Sequence, residues 1–170
     1  MMETKTYTTI DRAAFGWPAG PWDDEPDKMQ WPDATTSLPC LAVRNRRNGN
    51  WCGYVGVPPE HPMYGKGYRD DGVDFEVHGG ITFADKCHPG QDESQGICHT
   101  PGHGEPDHVW WLGFDCAHAW DFSPQDVKNE AERGRPFTIM ADQQYRVLAY
   151  VQQQCAELAA QVARVAVGAA

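Results

Sequence analysis

The sequence predicts an α+β fold: a mostly antiparallel sheet of about four strands with a long C-terminal amphipathic helix and extended loops. Three observations predict it. Two strand-like runs, Leu41–Arg44 and Trp51–Val57, flank a polar turn that contains Asn48-Gly49, a hairpin pattern. Val109-Trp110-Trp111-Leu112-Gly113-Phe114 is a continuous apolar run with the length of a central strand buried on both faces. Leu148, Val151, Cys155, Leu158, Val162 and Val165 recur at spacings of 3, 4, 3, 4 and 3, which is one stripe of a helix.

Composition bounds the rest. The 170 residues, 41% hydrophobic and 11% aromatic, suit a single domain over 1–170. Seventeen Gly and 13 Pro exceed the ordinary share and predict many turns and long loops. Fourteen Lys+Arg against 24 Asp+Glu leave a formal charge of -10. That charge argues against an extended nucleic-acid surface and against anionic membranes. No run approaches the roughly 18 apolar residues of a spanning helix, and the first residues carry no apolar leader core. The expectation is a cytoplasmic protein whose cysteines, Cys40, Cys52, Cys87, Cys98, Cys116 and Cys155, are free thiols or metal ligands.

Along the chain, residues 1–37 read as an irregular Trp/Pro-rich arm, since Trp17-Pro18 and Trp31-Pro32 bias each Trp away from helix. Residues 38–122 form the sheet with its loops. A third strand is expected where Val73, Phe75 and Val77 alternate with Asp74, Glu76 and His78. Residues 84–108 are almost free of apolar side chains, and so long a loop is usually functional or organised by a metal. In the helical stretch 123–170, Ser123-Pro124 caps a short helix that Gly134 and Pro136 close, and Asp142 is placed as the cap of the long one. The stripe of that helix packs on the sheet or forms a homodimer seam.

Four segments carry possible chemistry. His78-Gly79-Gly80 with Thr82 ends a strand; paired glycines there admit a ligand and offer N–H groups to an anion. Asp115, His118 and Asp121 stand at three-residue intervals where the apolar strand gives out, so one turn would group them. An Asp–His pair suits acid–base work, making His78, Asp115, His118 and Asp121 the catalytic candidates, and Asp115, His118 and Asp121 could also bind a divalent metal. Cys87, Cys98, His99 and His103 supply ligands enough for zinc, although their spacing matches no standard knuckle; a Cys87–Cys98 disulfide and unconnected loop residues are the alternatives. Tyr64 and Lys66 lie in a Gly-rich loop as ring or phosphate contacts that could close over the cleft, and the P-loop pattern is absent.

The runs Asn50–Pro59, His61–Lys66, Val77–Phe83 and Trp110–His118 resemble those of small accessory proteins of tailed bacteriophages and their bacterial hosts. The resemblance covers roughly 38–122 and the C-terminal helix. It implies a cytoplasmic setting in an infected or lysogenic bacterium, and no activity, cofactor or catalytic residue. Three functions follow as expectations. The first is capture of a small polar ligand, phosphorylated or nucleotide-like, with a counter-defence role. The second is a hydrolase at the same site, acting by His/Asp acid–base chemistry or through Zn or another divalent metal. The third is an acidic inhibitor that binds a basic host protein through Trp17–Asp33.

Overall fold

The computed structural model describes residues 1–139 and 142–168. The predicted hairpin is present as β3 (Pro39–Arg44) and β4 (Trp51–Val57), antiparallel with Leu41 opposite Tyr54. Its turn is held by the Asn45 side chain, whose Oδ1 accepts from the amides of Arg47 and Asn48. The apolar run forms β6 (Trp110–Asp115), lying between β4 and β5 (Phe83–Lys86) as the central strand it was expected to be. Glycines let aromatic rings cross the β4–β6 ladder. A Cβ on Gly53 would lie 2.4 Å from the ring of its partner Phe114, and one on Gly113 would lie 2.4 Å from the ring of Tyr54.

The sheet has six strands rather than four, in the order β1-β2-β3-β4-β6-β5, with every neighbouring pair antiparallel. Both added strands come from the arm that reads as irregular: β1 (Lys5–Tyr7) and β2 (Lys28–Pro32), with a single helical turn α1 (Arg12–Phe15) between them. In β2, Met29 and Trp31 face the helix side of the sheet, while Lys28 and Gln30 point to the other face and are buried there. A strand with polar residues turned inward leaves no apolar alternation to read.

The expected third strand is not one. Residues 73–76 form no regular element, Val77 and His78 enter a bend and a turn, and the edge strand β5 comes later. Val73, Phe75 and Val77 do pack on the core as their alternation predicts. Their backbone is satisfied by a helix instead of a ladder. Gln161 accepts from the Glu76 amide at 2.9 Å and donates to its carbonyl at 2.7 Å, while Gln154 accepts from the His78 amide at 2.8 Å.

Those glutamines stand on the long helix α3 (Leu148–Gly168). The predicted stripe is used within the chain: Val151, Cys155, Leu158 and Val162 are wholly buried against the sheet, chiefly β4. This removes the stripe as a homodimer seam. The helix starts at Leu148, six positions beyond Asp142, because its first turn is capped from a distance: the Leu148 amide donates to Glu25 at 2.7 Å. The short helix α2 (Pro124–Glu132) has the predicted Ser123 cap, completed by Asp126 into a capping box. Among the described residues no helix is long and apolar enough to cross a membrane.

Glu25 anchors a closed cluster. Its Oε2 accepts from Arg44 at 2.9 Å, from Trp51 Nε1 at 3.0 Å and from Tyr145 at 2.7 Å. Arg44 stacks on Trp51 at 4.3 Å, and its Nε lies 3.3 Å from Asp27, in ion-pair reach though outside hydrogen-bond geometry. Asp27 also accepts from Arg12 and from the amides of Thr9 and Ile10. The acidic residues Glu25 and Asp27, and Trp22 with them, are therefore committed to tying the arm down. Other residues of the strip, Asp23 and Asp24 among them, stay exposed.

Candidate functional site

The candidate site forms where three elements converge: the end of the 73–78 segment at His78, the turn after β6 at Asp115–Ser123, and the start of α3. The turn at 115–123 is fixed by Phe122 donating to the Gln144 carbonyl and Gln144 to that of Trp120. This places Asp121 in the interior, 6% exposed. Its Oδ2 lies 2.8 Å from His78 Nε2 and accepts from the His118 amide at 3.1 Å; its Oδ1 accepts from Arg146 Nε at 2.7 Å. Burial, the largest single influence, raises the Asp121 carboxyl, but the bonds from Arg146, His78 and His118 outweigh it and hold the acid below its ordinary range. The other nitrogen of His78, Nδ1, lies 2.9 Å from the Tyr150 hydroxyl. Burial pushes the Tyr150 phenol up, against the pull of Arg146, so it stays protonated and donates. Asp121, His78 and Tyr150 thus form one hydrogen-bonded line, in which the carboxylate can fix the tautomer of the imidazole.

His118 sits beside that line. Its ring stacks on Trp120 at 5.0 Å with an interplanar angle of 16°, and its centroid is 5.4 Å from that of His78. Asp115 Oδ1 is 3.8 Å from His118 Nε2, while Asp115 Oδ2 accepts from Thr82 at 2.8 Å. His118 Nε2 is buried and has no hydrogen-bond partner among the described residues. Such a nitrogen is uncommon and needs a reason.

The structure brings together His78, Gly79, Thr82, Asp115, His118 and Asp121, drawn from both central segments of the sequence reading. It changes the role of the glycines. Gly79 has φ +68°, and a Cβ there would lie 1.8 Å from His118 Nε2, so the missing side chain makes room for the histidine rather than for a ligand. Gly80 closes a turn by donating to the Val77 carbonyl at 2.9 Å. Tyr64 and Lys66 do not join the site. Tyr64 packs on Trp110 at 5.9 Å and the Lys66 carbonyl accepts from Trp110 Nε1, at the opposite end of β6 from Asp115. The Lys66 ammonium donates to the Asp71 carbonyl.

The metal expectation is also corrected. Cys87 and Cys98 are joined in a disulfide, so neither is a thiolate ligand. His99 is buried edge-on against Trp111, its basicity lowered chiefly by burial, and His103 lies on an exposed turn. Among the described residues no three His, Cys, Asp or Glu are grouped to hold a metal ion. The remaining cysteines, Cys40, Cys52, Cys116 and Cys155, are free, as expected.

His118 and Asp121 also line a cleft of about 370 Å³ between the 116–123 turn and α2. Five of its eleven other lining residues are carboxamides: Asn48, Asn50, Gln125, Asn129 and Gln143. Gln125 is held in place by Trp17 Nε1 at 3.1 Å and by its own bond to Asn129 at 2.9 Å. In the cleft wall Asn50 Oδ1, like His118 Nε2, is buried without a hydrogen-bond partner among the described residues. A wider depression of about 660 Å³ shares Asp126, Asn129 and Gln143 with the cleft and carries Arg133 and Arg135, both paired with the single carboxylate of Glu130. Sequence reasoning missed Arg146, Tyr150 and the carboxamides. Arg146 and Tyr150 are four apart at the helix start and off the apolar stripe, the one local sign that they face something polar. No protein-family model, no curated protein and no solved structure matches the chain.

Proposed function

We propose that this protein captures a small polar ligand of nucleotide type in the cleft between the 116–123 turn and α2. The observation that carries the reading is the stacked His118–Trp120 pair beside a cleft with five carboxamides in its wall. Trp120 is 45% exposed, so a planar ring can stack on its free face. The carboxamides offer paired donors and acceptors to a base or sugar. The phosphate contact once assigned to Lys66 falls to Arg133 and Arg135, two guanidinium groups sharing one carboxylate. The setting drawn from the phage resemblance makes this a cytoplasmic accessory protein whose ligand would be a host defence signal. Calorimetric titration with a panel of nucleoside monophosphates tests the capture. Binding that falls more than tenfold in His118→Ala and in Arg133→Ala/Arg135→Ala, and is unmoved in Lys66→Ala, is the expected result. A panel without any binder, or binding indifferent to His118, sinks it.

The Asp121–His78–Tyr150 line favours a second reading, hydrolysis of the same ligand, since a carboxylate-oriented histidine behind a phenol is a general acid–base arrangement. Phosphorus NMR of the bound compound separates the two. Turnover that stops in Tyr150→Phe while binding persists marks an enzyme; an unchanged ligand marks capture.

A further inference from the structure

The disulfide closes the loop Cys87–Cys98 directly over the buried polar face of β2. Lys28, 1% exposed, donates to the carbonyls of Glu93, Gly96 and Cys98 at 2.5–2.6 Å. Gln30 donates to the Thr100 carbonyl at 3.1 Å and accepts from the Thr100 amide at 3.0 Å. These bonds replace an apolar anchor. Residues 88–93 are exposed, and from the loop only Ile97 packs against the cluster of Leu41, Tyr54, Val109 and Trp111. Besides the disulfide, the loop is held by Lys28, by the exposed Arg46–Gln95 bond and by the Thr100–Glu93 bond, with Gln30 fixing Thr100 just beyond it, and so few polar ties retain it poorly once the covalent bond is gone. We propose that the Cys87–Cys98 disulfide is a redox clasp whose opening frees residues 88–98 and uncovers Lys28 with the apolar surface beside it.

The chemistry is assigned to a dithiol reductant. Its thiolate attacks Cys87 Sγ, the more accessible sulfur, while Cys98 is buried. A mixed disulfide forms and Cys98 leaves as a thiolate, stabilised by the Lys28 ammonium held against its own backbone, and takes up a proton. The second thiol of the reductant closes its own disulfide and releases Cys87. Two electrons and two protons have then passed to the protein, and the reductant is oxidised. Burial lowers the Lys28 ammonium to about 8 against the fields of Glu93 and Asp92, so uncovering it also restores an ordinary amine. The response is confined to this pair. Cys40, Cys116 and Cys155 are buried thiols pushed up by burial, and Cys52 is pushed up to about 12 in the same way.

Hydrogen exchange and amine acetylation of the intact protein, with and without a dithiol, test the clasp. Reduction is expected to speed exchange across 90–97 about a hundredfold and to make Lys28 acetylatable, while amides of β6 and α3 stay protected. The double variant Cys87→Ser/Cys98→Ser should behave as the reduced protein without any reductant. Unchanged exchange and a protected Lys28 in reduced protein overturn the proposal. Loss of protection in β6 and α3 together with the loop overturns it too, because the bond would then hold the core rather than a clasp.

Discussion

Two charged clusters flank the start of α3, and they differ in what they leave unpaired. Around Glu25, one carboxylate serves an arginine, a tryptophan, a tyrosine and a helix amide, and the buried atoms left without a hydrogen bond are the Nε of Arg12 and of Arg44, in guanidinium groups that both pair with Asp27. Around Asp121, the carboxylate is just as fully used, yet His118 Nε2 stays without a partner and Trp120 stands half in solvent. The first arrangement joins distant pieces of chain. The second holds a histidine ready beside a cavity. Buried charge of the same kind thus does different work: the nitrogens left over beside Glu25 belong to guanidinium groups that stay charged, whereas the one left over beside Asp121 belongs to an imidazole, which can gain or lose a proton.

The largest expected effect belongs to the closed cluster. Glu25→Ala takes one of its two carboxylate partners from the buried Arg44, leaves Trp51 Nε1 and the Tyr145 hydroxyl without their acceptor and uncaps α3, and denaturant unfolding should show a loss of about 3–5 kcal/mol. Asp121→Asn keeps the shape and removes the charge, so the loss should be smaller, about 1–3 kcal/mol. Equal losses would mean that both clusters are only anchors. Gly79→Ala attacks the open cluster alone. Its Cβ meets His118 at a left-handed φ, so the His118 ring must move, which ring-proton NMR reads directly, at a cost of about 1–3 kcal/mol.

Acid sharpens the comparison further. Asp121 has a folded pKa below its ordinary 3.8, so its contribution is present above 3.8 and is lost as the pH falls below that value through the folded pKa. Stability measured down the acid limb should fall less steeply in Asp121→Asn than in the parent. The smallest effect is on the exposed platform. Trp120→Ala should change stability by about 1 kcal/mol or less while weakening nucleotide binding more than tenfold. A large stability loss there would make the stack part of the core instead.

Local signals carried the parts of the fold that local physics builds. The Asn-rich turn and the Ser123 cap satisfy their own backbone within a few residues, and β6, whose ladder partners are distant, was legible from its unbroken apolar run alone. The site was half legible in the same way. Asp115, His118 and Asp121 lie within seven residues, and the Gly79 next to His78 signalled a close approach. What approaches Gly79, however, is a histidine from another segment, and no pattern within 73–82 announces that.

Residue types and their periodicity determined that this chain makes an α+β protein with an antiparallel sheet, an inward-facing stripe on its last helix and a polar cluster at the end of its central strand. Tertiary structure alone decided that the polar strand β2 belongs to the sheet, that 73–78 leans on glutamines of α3, and that α3 begins where Glu25 caps it. It also decided that Cys87 meets Cys98 and that Tyr64 and Lys66 stand far from His118. The reason is common to all of these. Each depends on a partner outside the local run, from eleven residues away for the disulfide to 123 for Glu25 and Leu148, and pairings over such spans leave no period in the sequence.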